Sequence, residues 1–239
     1  MFGTGFLQGR PSSLTSPRVA AVVKAIAVIE DVEFTAYRGG WRGEIGTALV
    51  DAIFSIRAKY LAADPAKGVS GRIRTFRETY PETRNDLSAL VAIGEDRIRE
   101  VMGDTVTAGR PKAVCVVEAA QALTDLTPPI ISAEDALATS SKTVKRAYTS
   151  VRGLGPVTAD YFLMHLGVEG VKADTMIRRF VDRALLNEEL EESSGWTEAK
   201  DLITKAYEIE PRGAKSLSAF DHGIWRVESA GTLTKGADE

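Results

Sequence analysis

Gly153, Leu154, Gly155 and Pro156 stand between two stretches that read as helices, and Asp174-Thr175 follows about twenty residues later with Arg178 and Arg179 behind it. Two glycines let a backbone come close to another molecule. Pro156 suits the first position of a helix, where no N–H is needed. The helix start beyond it offers unpaired N–H groups to an anion. This is a phosphate clamp that needs no cationic side chain. Asp174 reads as the N-cap of the next helix, and that helix start, with two arginines one turn on, keeps its carboxylate ionised. Each half alone is ordinary, because a G-x-G turn is usually a connector and an Asp before Thr usually only a cap.

Stepping outward, Val157, Tyr161, Met164 and His165 recur at helical spacing, and Lys142–Ser150 is polar and helix-permissive. Arg18–Asp31 carries Val19, Val22, Val23, Ile26 and Ile29 on one stripe, and Glu44–Tyr60 carries Ile45, Leu49, Ile53, Ile56 and Tyr60. Val32–Arg42 (with A-Y-R-G-G-W-R) and Gly103–Pro111 read as loops. Helices are expected at Val69–Tyr80, Asp86–Ala92, Glu95–Met102 (joined to the preceding one at Gly94), Lys112–Leu123 and Ser132–Thr139. Further on they are expected at Thr175–Leu186, Trp196–Ile209 and Lys215–Glu228, with an acidic linker at Glu188–Ser194. Alternating strand patterns are nearly absent and no internal repeat is visible, so the fold class is all-α, in two helical lobes. The expected division is an N-terminal flexible arm at 1–17, one lobe from 18–48 plus 168–229, a central lobe at 49–167, and a flexible tail at 230–239.

A net charge of −3 and a pI of about 5.6 do not advertise a nucleic-acid binder. The distribution matters more than the sum. From Ser140 to Leu186 there are eight Lys/Arg and four acids, whereas Glu188–Glu210 holds eight acids and two lysines. That pattern suits one DNA-facing side, since phosphate neutralisation is local. Cys115, the one cysteine, excludes a disulfide framework and a four-cysteine metal site, and it reads as a buried, inert thiol. Two histidines, His165 and His222, lack a partner set for zinc and read as structural. The longest apolar run, Val19–Ile29, is too short for a bilayer and Lys24 interrupts it; the protein reads as cytoplasmic.

G-L-G-P-V-T-A, followed by Ala173-Asp174-Thr175 and the two arginines, resembles the helix-hairpin-helix Gly/Pro/Asp (HhH-GPD) superfamily of DNA glycosylases, which includes endonuclease III and the bacterial alkyladenine glycosylases. The resemblance implies two helical lobes with a cleft between them, and a base-excision-repair DNA glycosylase acting as a monomer on double-stranded DNA with a damaged base. It implies that Arg152, Gly153, Leu154, Gly155, Val157, Thr158 and Arg178 grip DNA backbone. Asp174 becomes the catalytic carboxylate at the mouth of a pocket for a flipped base, stabilising the oxocarbenium-like sugar as the N-glycosidic bond breaks.

Val157 stands where bifunctional members carry a Schiff-base lysine, and no lysine occurs from Gly153 to Gly170. T-A-D-Y-F is similar to the monofunctional alkyladenine branch, so a glycosylase without lyase activity is implied. No cofactor is implied: a single cysteine cannot hold the iron–sulfur cluster of endonuclease III, and only a monovalent cation on the carbonyls of Val151–Gly155 is compatible with the family. Arg57, where members usually show Gln, and the Gly109–Lys112 loop with Arg110 and Lys112 are the gap-filling candidates. Tyr161, Trp41, Tyr37 and Phe54 are candidates for the pocket wall and equally for core. Three rivals share the sequence: a helix-hairpin-helix protein that binds DNA without cutting, a lyase using Lys172, and a helical interaction protein with no nucleic-acid role.

Overall fold

The computed structural model describes residues 15–235 except 38, 61, 63, 65 and 66, so most of the expected arm and the end of the expected tail lie outside the described residues. In chain order the helices begin with α1 (Pro17–Ala27), α2 (Asp31–Thr35), α3 (Ile45–Phe54), α4 (Gly68–Thr79) and α5 (Leu87–Met102). A two-stranded hairpin follows, β1 (Val106–Thr107) and β2 (Arg110–Pro111). The rest is helical: α6 (Lys112–Thr124), α7 (Ala133–Ala138), α8 (Ser141–Thr149), α9 (Pro156–Leu166), α10 (Thr175–Leu186), α11 (Trp196–Ile209) and α12 (Leu217–Lys235). The all-α expectation holds, and α12 continues six residues into the stretch expected to be a tail.

The chain forms two compact units, one of Tyr37–Lys172 and the other of the flanking segments up to Ala36 and from Ala173. The expected boundaries lay instead after residues 48 and 167. The difference has a cause in the A-Y-R-G-G-W-R loop. Its Trp41 Nε1 donates to Asp51 of α3 at 2.6 Å, and Gly40 lies so close to α9 that a Cβ there would meet His165 Cα at 2.4 Å. The loop therefore packs with the central unit.

In the flanking unit α1, α2, α10, α11 and α12 enclose Val22, Ile26, Phe34, Ile177, Val181, Ile203, Phe220 and Ile224, all essentially inaccessible. The rings of Phe34 and Phe220 stack at 5.1 Å. Ser16 caps α1 through the N–H of Val19. That helix ends at Ala27 rather than Asp31, because Arg212 binds the carbonyls of Ile26 and Ile29 at 2.8 and 2.7 Å.

In the central unit every residue of α3 is buried, and the helix packs against α4, α6 and α9. A helix apolar on all sides belongs in a core, yet this one carries Asp51. The expected run to Tyr60 stops at Phe54. Lys112 Nζ donates to the carbonyls of Phe54 and Ile56 at 3.0 and 2.6 Å, and Arg57 turns left-handed at φ 48°. A cation on the last carbonyls satisfies the orphan acceptors and the negative end of the helix dipole. The break expected at Gly94 is present as a non-helical kink inside α5. The expected loop before α6 instead forms β1–β2, around Ala108 and Gly109 with both φ positive, the geometry of a tight two-residue hairpin turn.

Candidate functional site

The glycine elbow between α8 and α9 is held from behind. Thr107 Oγ1 donates to the Gly153 carbonyl at 3.1 Å and Arg110 to the Arg152 carbonyl at 3.2 Å. Cys115 Sγ reaches the same Arg152 oxygen at 3.7 Å. The Leu154 N–H closes a turn onto Val151 O at 3.1 Å. Gly153 needs its φ of +100°, and a Cβ there would press Thr107 at 3.2 Å. Gly155 has extended backbone at φ −126°, with nothing within 4 Å of an added Cβ. Its freedom is therefore spatial: it leaves the approach to the helix start open.

Thr158 closes the other side of the elbow, accepting from the Gly155 N–H at 3.3 Å and donating to the Gly155 carbonyl at 2.9 Å. The first helical N–H to find a carbonyl is that of Ala159, on Gly155 O at 3.0 Å. The N–H groups of Val157 and Thr158 are thus the orphan donors of α9. They are the part of the expected clamp left open to an anion. The carbonyls of Val151, Arg152, Gly153 and Gly155 all accept protein donors, so a monovalent cation at the elbow would have to share them.

Asp174 does cap α10: its Oδ1 accepts from Met176 N at 2.9 Å and Ile177 N at 3.3 Å. Beyond it, Thr175, Arg178, Arg179, Arg183 and Trp196 line a cleft of about 520 Å³ along α10. Arg178 is engaged there, 3.3 Å from the Asp182 carboxylate and 5.3 Å from the Trp196 ring centre. Any grip on a phosphate by Arg178 competes with both contacts.

The central unit also assembles something the sequence reading did not foresee. Asp51, wholly inaccessible, accepts from Trp41 Nε1 at 2.6 Å, Tyr60 Oη at 2.9 Å and Ser55 Oγ at 2.8 Å. Three donors are what a buried carboxylate requires. Burial first, and then the Asp51 charge, push the Tyr60 hydroxyl far up, so it stays a donor; Tyr161 also hydrogen-bonds it and Tyr37 lies within electrostatic reach. The His165 ring sits 4.1 Å from the Tyr161 ring and 6.5 Å from Trp41. Its Nε2 is 3.7 Å from Asp51, too far for a hydrogen bond, and both imidazole nitrogens lack a partner. Burial lowers its pKa, the Asp51 charge opposes and Lys172 reinforces, so the ring is neutral. Lys172 Nζ lies over Tyr161, 3.6 Å from the ring centre. On the opposite flank Arg77 stacks 4.8 Å from Trp41 while gripping Glu44 with two hydrogen bonds.

Three of the four expected pocket-wall residues, Tyr161, Trp41 and Tyr37, therefore belong to one cluster. Phe54 does not: it is 2 % exposed in the hydrophobic core. Lys112 is a correction as well. Its side chain is buried on the end of α3 rather than offered to a DNA face, and burial pushes its pKa down to about 8. Arg110 is tied to Glu118 at 2.5 Å and to the elbow. Arg57 and Arg152 are exposed. Asp51 had a readable signal, an acid inside A-L-V-D-A-I-F with two hydrogen-bonding rings within ten residues.

Among the described residues no group of three or more His, Cys, Asp or Glu is placed to hold a metal ion, and no helix is long and apolar enough to cross a membrane. The fold is that of the 3-methyladenine DNA glycosylases. The H. pylori enzyme MagIII, in a structure bound to 1,N6-ethenoadenine, superposes at a TM-score of 0.58 with 17% identity, over 90% of this chain and 98% of its own. The S. pombe enzyme Mag1, in complex with abasic DNA, gives 0.52 with 17% identity, over 88% and 97%. A search of curated protein sequences found no match. By sequence the chain belongs to the family described as Domain of unknown function (DUF8548), which spans residues 19–229.

Proposed function

We propose that this protein is a DNA glycosylase that removes a flipped, damaged base from duplex DNA by hydrolysis, without lyase activity. The observation that carries this reading is Asp174 at the head of α10, in a chain whose fold matches two 3-methyladenine DNA glycosylases along about nine-tenths of its length. One carboxylate oxygen is fixed by two N–H groups, which orient the side chain at the helix start. A positioned carboxylate is suited to stabilise a developing oxocarbenium ion and to orient the attacking water. The orphan N–H groups of Val157 and Thr158 are suited to bind a backbone phosphate, with Gly155 leaving room for the sugar-phosphate chain. Val157 supplies no amine at the position of the family's Schiff-base lysine.

The test is release of free base from duplexes each carrying one lesion, with wild type and Asp174→Asn. Release from at least one lesion, abolished by the substitution, is expected, and borohydride on abasic DNA should trap no covalent adduct. The N-cap hydrogen bonds also favour a second reading, a helix-hairpin-helix binder without catalysis, since they give Asp174 a complete structural role. That reading predicts salt-dependent DNA binding, unchanged in Asp174→Asn, and no base release from any duplex.

A further inference from the structure

The turn that follows α3 holds an exposed cation in a conformation its residue type disfavours. Arg57 has a φ of 48°, a left-handed backbone that a non-glycine residue keeps only where its surroundings enforce it. Here they do. Ahead of it, Ser55 Oγ donates to Asp51 Oδ1 at 2.8 Å; behind it, Tyr60 Oη donates to Asp51 Oδ2 at 2.9 Å. The carbonyls of Lys59 and Tyr60 accept from Val69 N at 3.3 Å and Ser70 N at 3.0 Å, N–H groups at the start of α4. The anchor nearest the tip is Lys112, whose ammonium holds the carbonyl of Ile56, next to Arg57, at 2.6 Å.

What the turn holds out is positive. Arg57, Ala58 and Lys59 are exposed, and among the described residues neither cation has a hydrogen-bond or ion-pair partner. The next acid along the chain, Asp64, faces Lys67 at 3.6 Å, and Asp51 is sealed beneath the turn with its three donors. The brace is shared with the elbow. Arg110 donates to the Arg152 carbonyl, and Lys112, two residues on, holds Ile56. One short segment thus steadies two loops of the central unit. A rigid, unpaired guanidinium and ammonium suit phosphodiester oxygens, whereas burying such charges between stacked bases is costly.

We propose that residues 55–60 form a phosphate-contacting turn with Arg57 and Lys59 as its cations, and that Lys112 is the positioning residue that holds Arg57 in place. The inference rests on the DNA-binding half of the proposed function. It assigns Arg57 to the backbone of the duplex rather than to the gap left by an everted base.

The experiment measures affinity by fluorescence anisotropy across a salt series, on an undamaged duplex and on one carrying a tetrahydrofuran abasic analogue. Wild type should bind both with clear salt dependence. Arg57→Asn tolerates the left-handed backbone but has no charge. It should weaken binding about tenfold at low salt and lower the salt slope by about 1, equally on both duplexes. Lys112→Met should do the same although the ammonium is buried. The double variant should be no weaker than Arg57→Asn alone, because the two changes remove one contact. Lys112→Gln keeps a donor for the carbonyls and should recover most of the affinity; it also reads the coupling should Lys112→Met fail to fold. A purely structural lysine would lower stability and leave the affinity of the folded protein unchanged. That outcome, additive losses in the double variant, or an Arg57→Asn effect confined to the abasic duplex overturns this proposal alone. A wild type with no salt-dependent DNA affinity overturns the proposed function and this inference with it.

Discussion

Asp51 and Asp174 are both single carboxylates that accept hydrogen bonds from their own unit, yet their surroundings give them opposite work. Asp51 lies in the middle of a helix with no solvent exposure and three side-chain donors. Asp174 sits half-buried at a helix start, held by two backbone N–H groups. A carboxylate fully desolvated and fully partnered has no capacity left for a substrate, whereas one half-buried at a helix N-terminus is not sealed away. The first gathers Trp41, Tyr60 and Ser55 around itself; the second is the carboxylate proposed to act on the sugar.

Substitution can break this contrast. The largest effect is expected from Asp51→Ala, which strands Trp41 Nε1, Tyr60 Oη and Ser55 Oγ inside the protein; chemical denaturation should show a loss of about 3–5 kcal/mol. Next comes Asp174→Asn. Asparagine caps helices as well as aspartate, so stability should change by less than about 0.5 kcal/mol, while base release falls on the order of 10²–10³-fold in single-turnover assays. If Asp174→Asn were the unstable variant and Asp51→Ala the inactive but stable one, the assignment of the two roles would be reversed.

Smaller effects sharpen the picture around α3 and the elbow. Lys112→Met leaves the carbonyls of Phe54 and Ile56 without their donor, a loss of about 1–2 kcal/mol near neutral pH. The pH dependence of that difference has a definite sign. The folded-state pKa is depressed to about 8, against about 10.4 in an unfolded chain. Between those values the unfolded chain binds the additional proton, so stability rises with pH. Denaturation across that window should show wild type gaining on Lys112→Met; a gap that narrows would contradict the burial of the ammonium. Gly153→Ala, forced to a φ of +100° and against Thr107, should cost about 1–2 kcal/mol. Gly155→Ala meets nothing within 4 Å and should fold to within about 0.5 kcal/mol of wild type, while its methyl group weakens DNA binding by about tenfold at low salt.

Most helices were legible because their apolar residues repeat at helical spacing, and the elbow and its N-terminal proline were legible because only a few residue types tolerate that geometry. The kink at Gly94 and the cap at Asp174 followed from the same local chemistry. What escaped was long-range. The periodicity of Ile53, Ile56 and Tyr60 continued past Phe54, but a lysine 58 residues away ends the helix there. The V-T-A-G-R-P stretch looked like open loop because its strands are two residues long, and their purpose lies in bracing Arg152 and Gly153. Trp41, Tyr37 and Tyr161 were separately suspected; the local signal at Asp51 reaches only Trp41 and Tyr60, and Tyr161 and Tyr37 join through Tyr60.

On the proposed function, the hydrogen bonds from Thr107, Arg110 and Cys115 onto the elbow have a thermodynamic consequence for encounter with DNA. Conformational entropy of the turn is surrendered when the chain folds, so little remains to be lost on association. Amide exchange at Leu154 and Gly155 should already be slow in the free protein and change little when a duplex docks. The salt-dependent association rate should then approach that of a rigid-body collision.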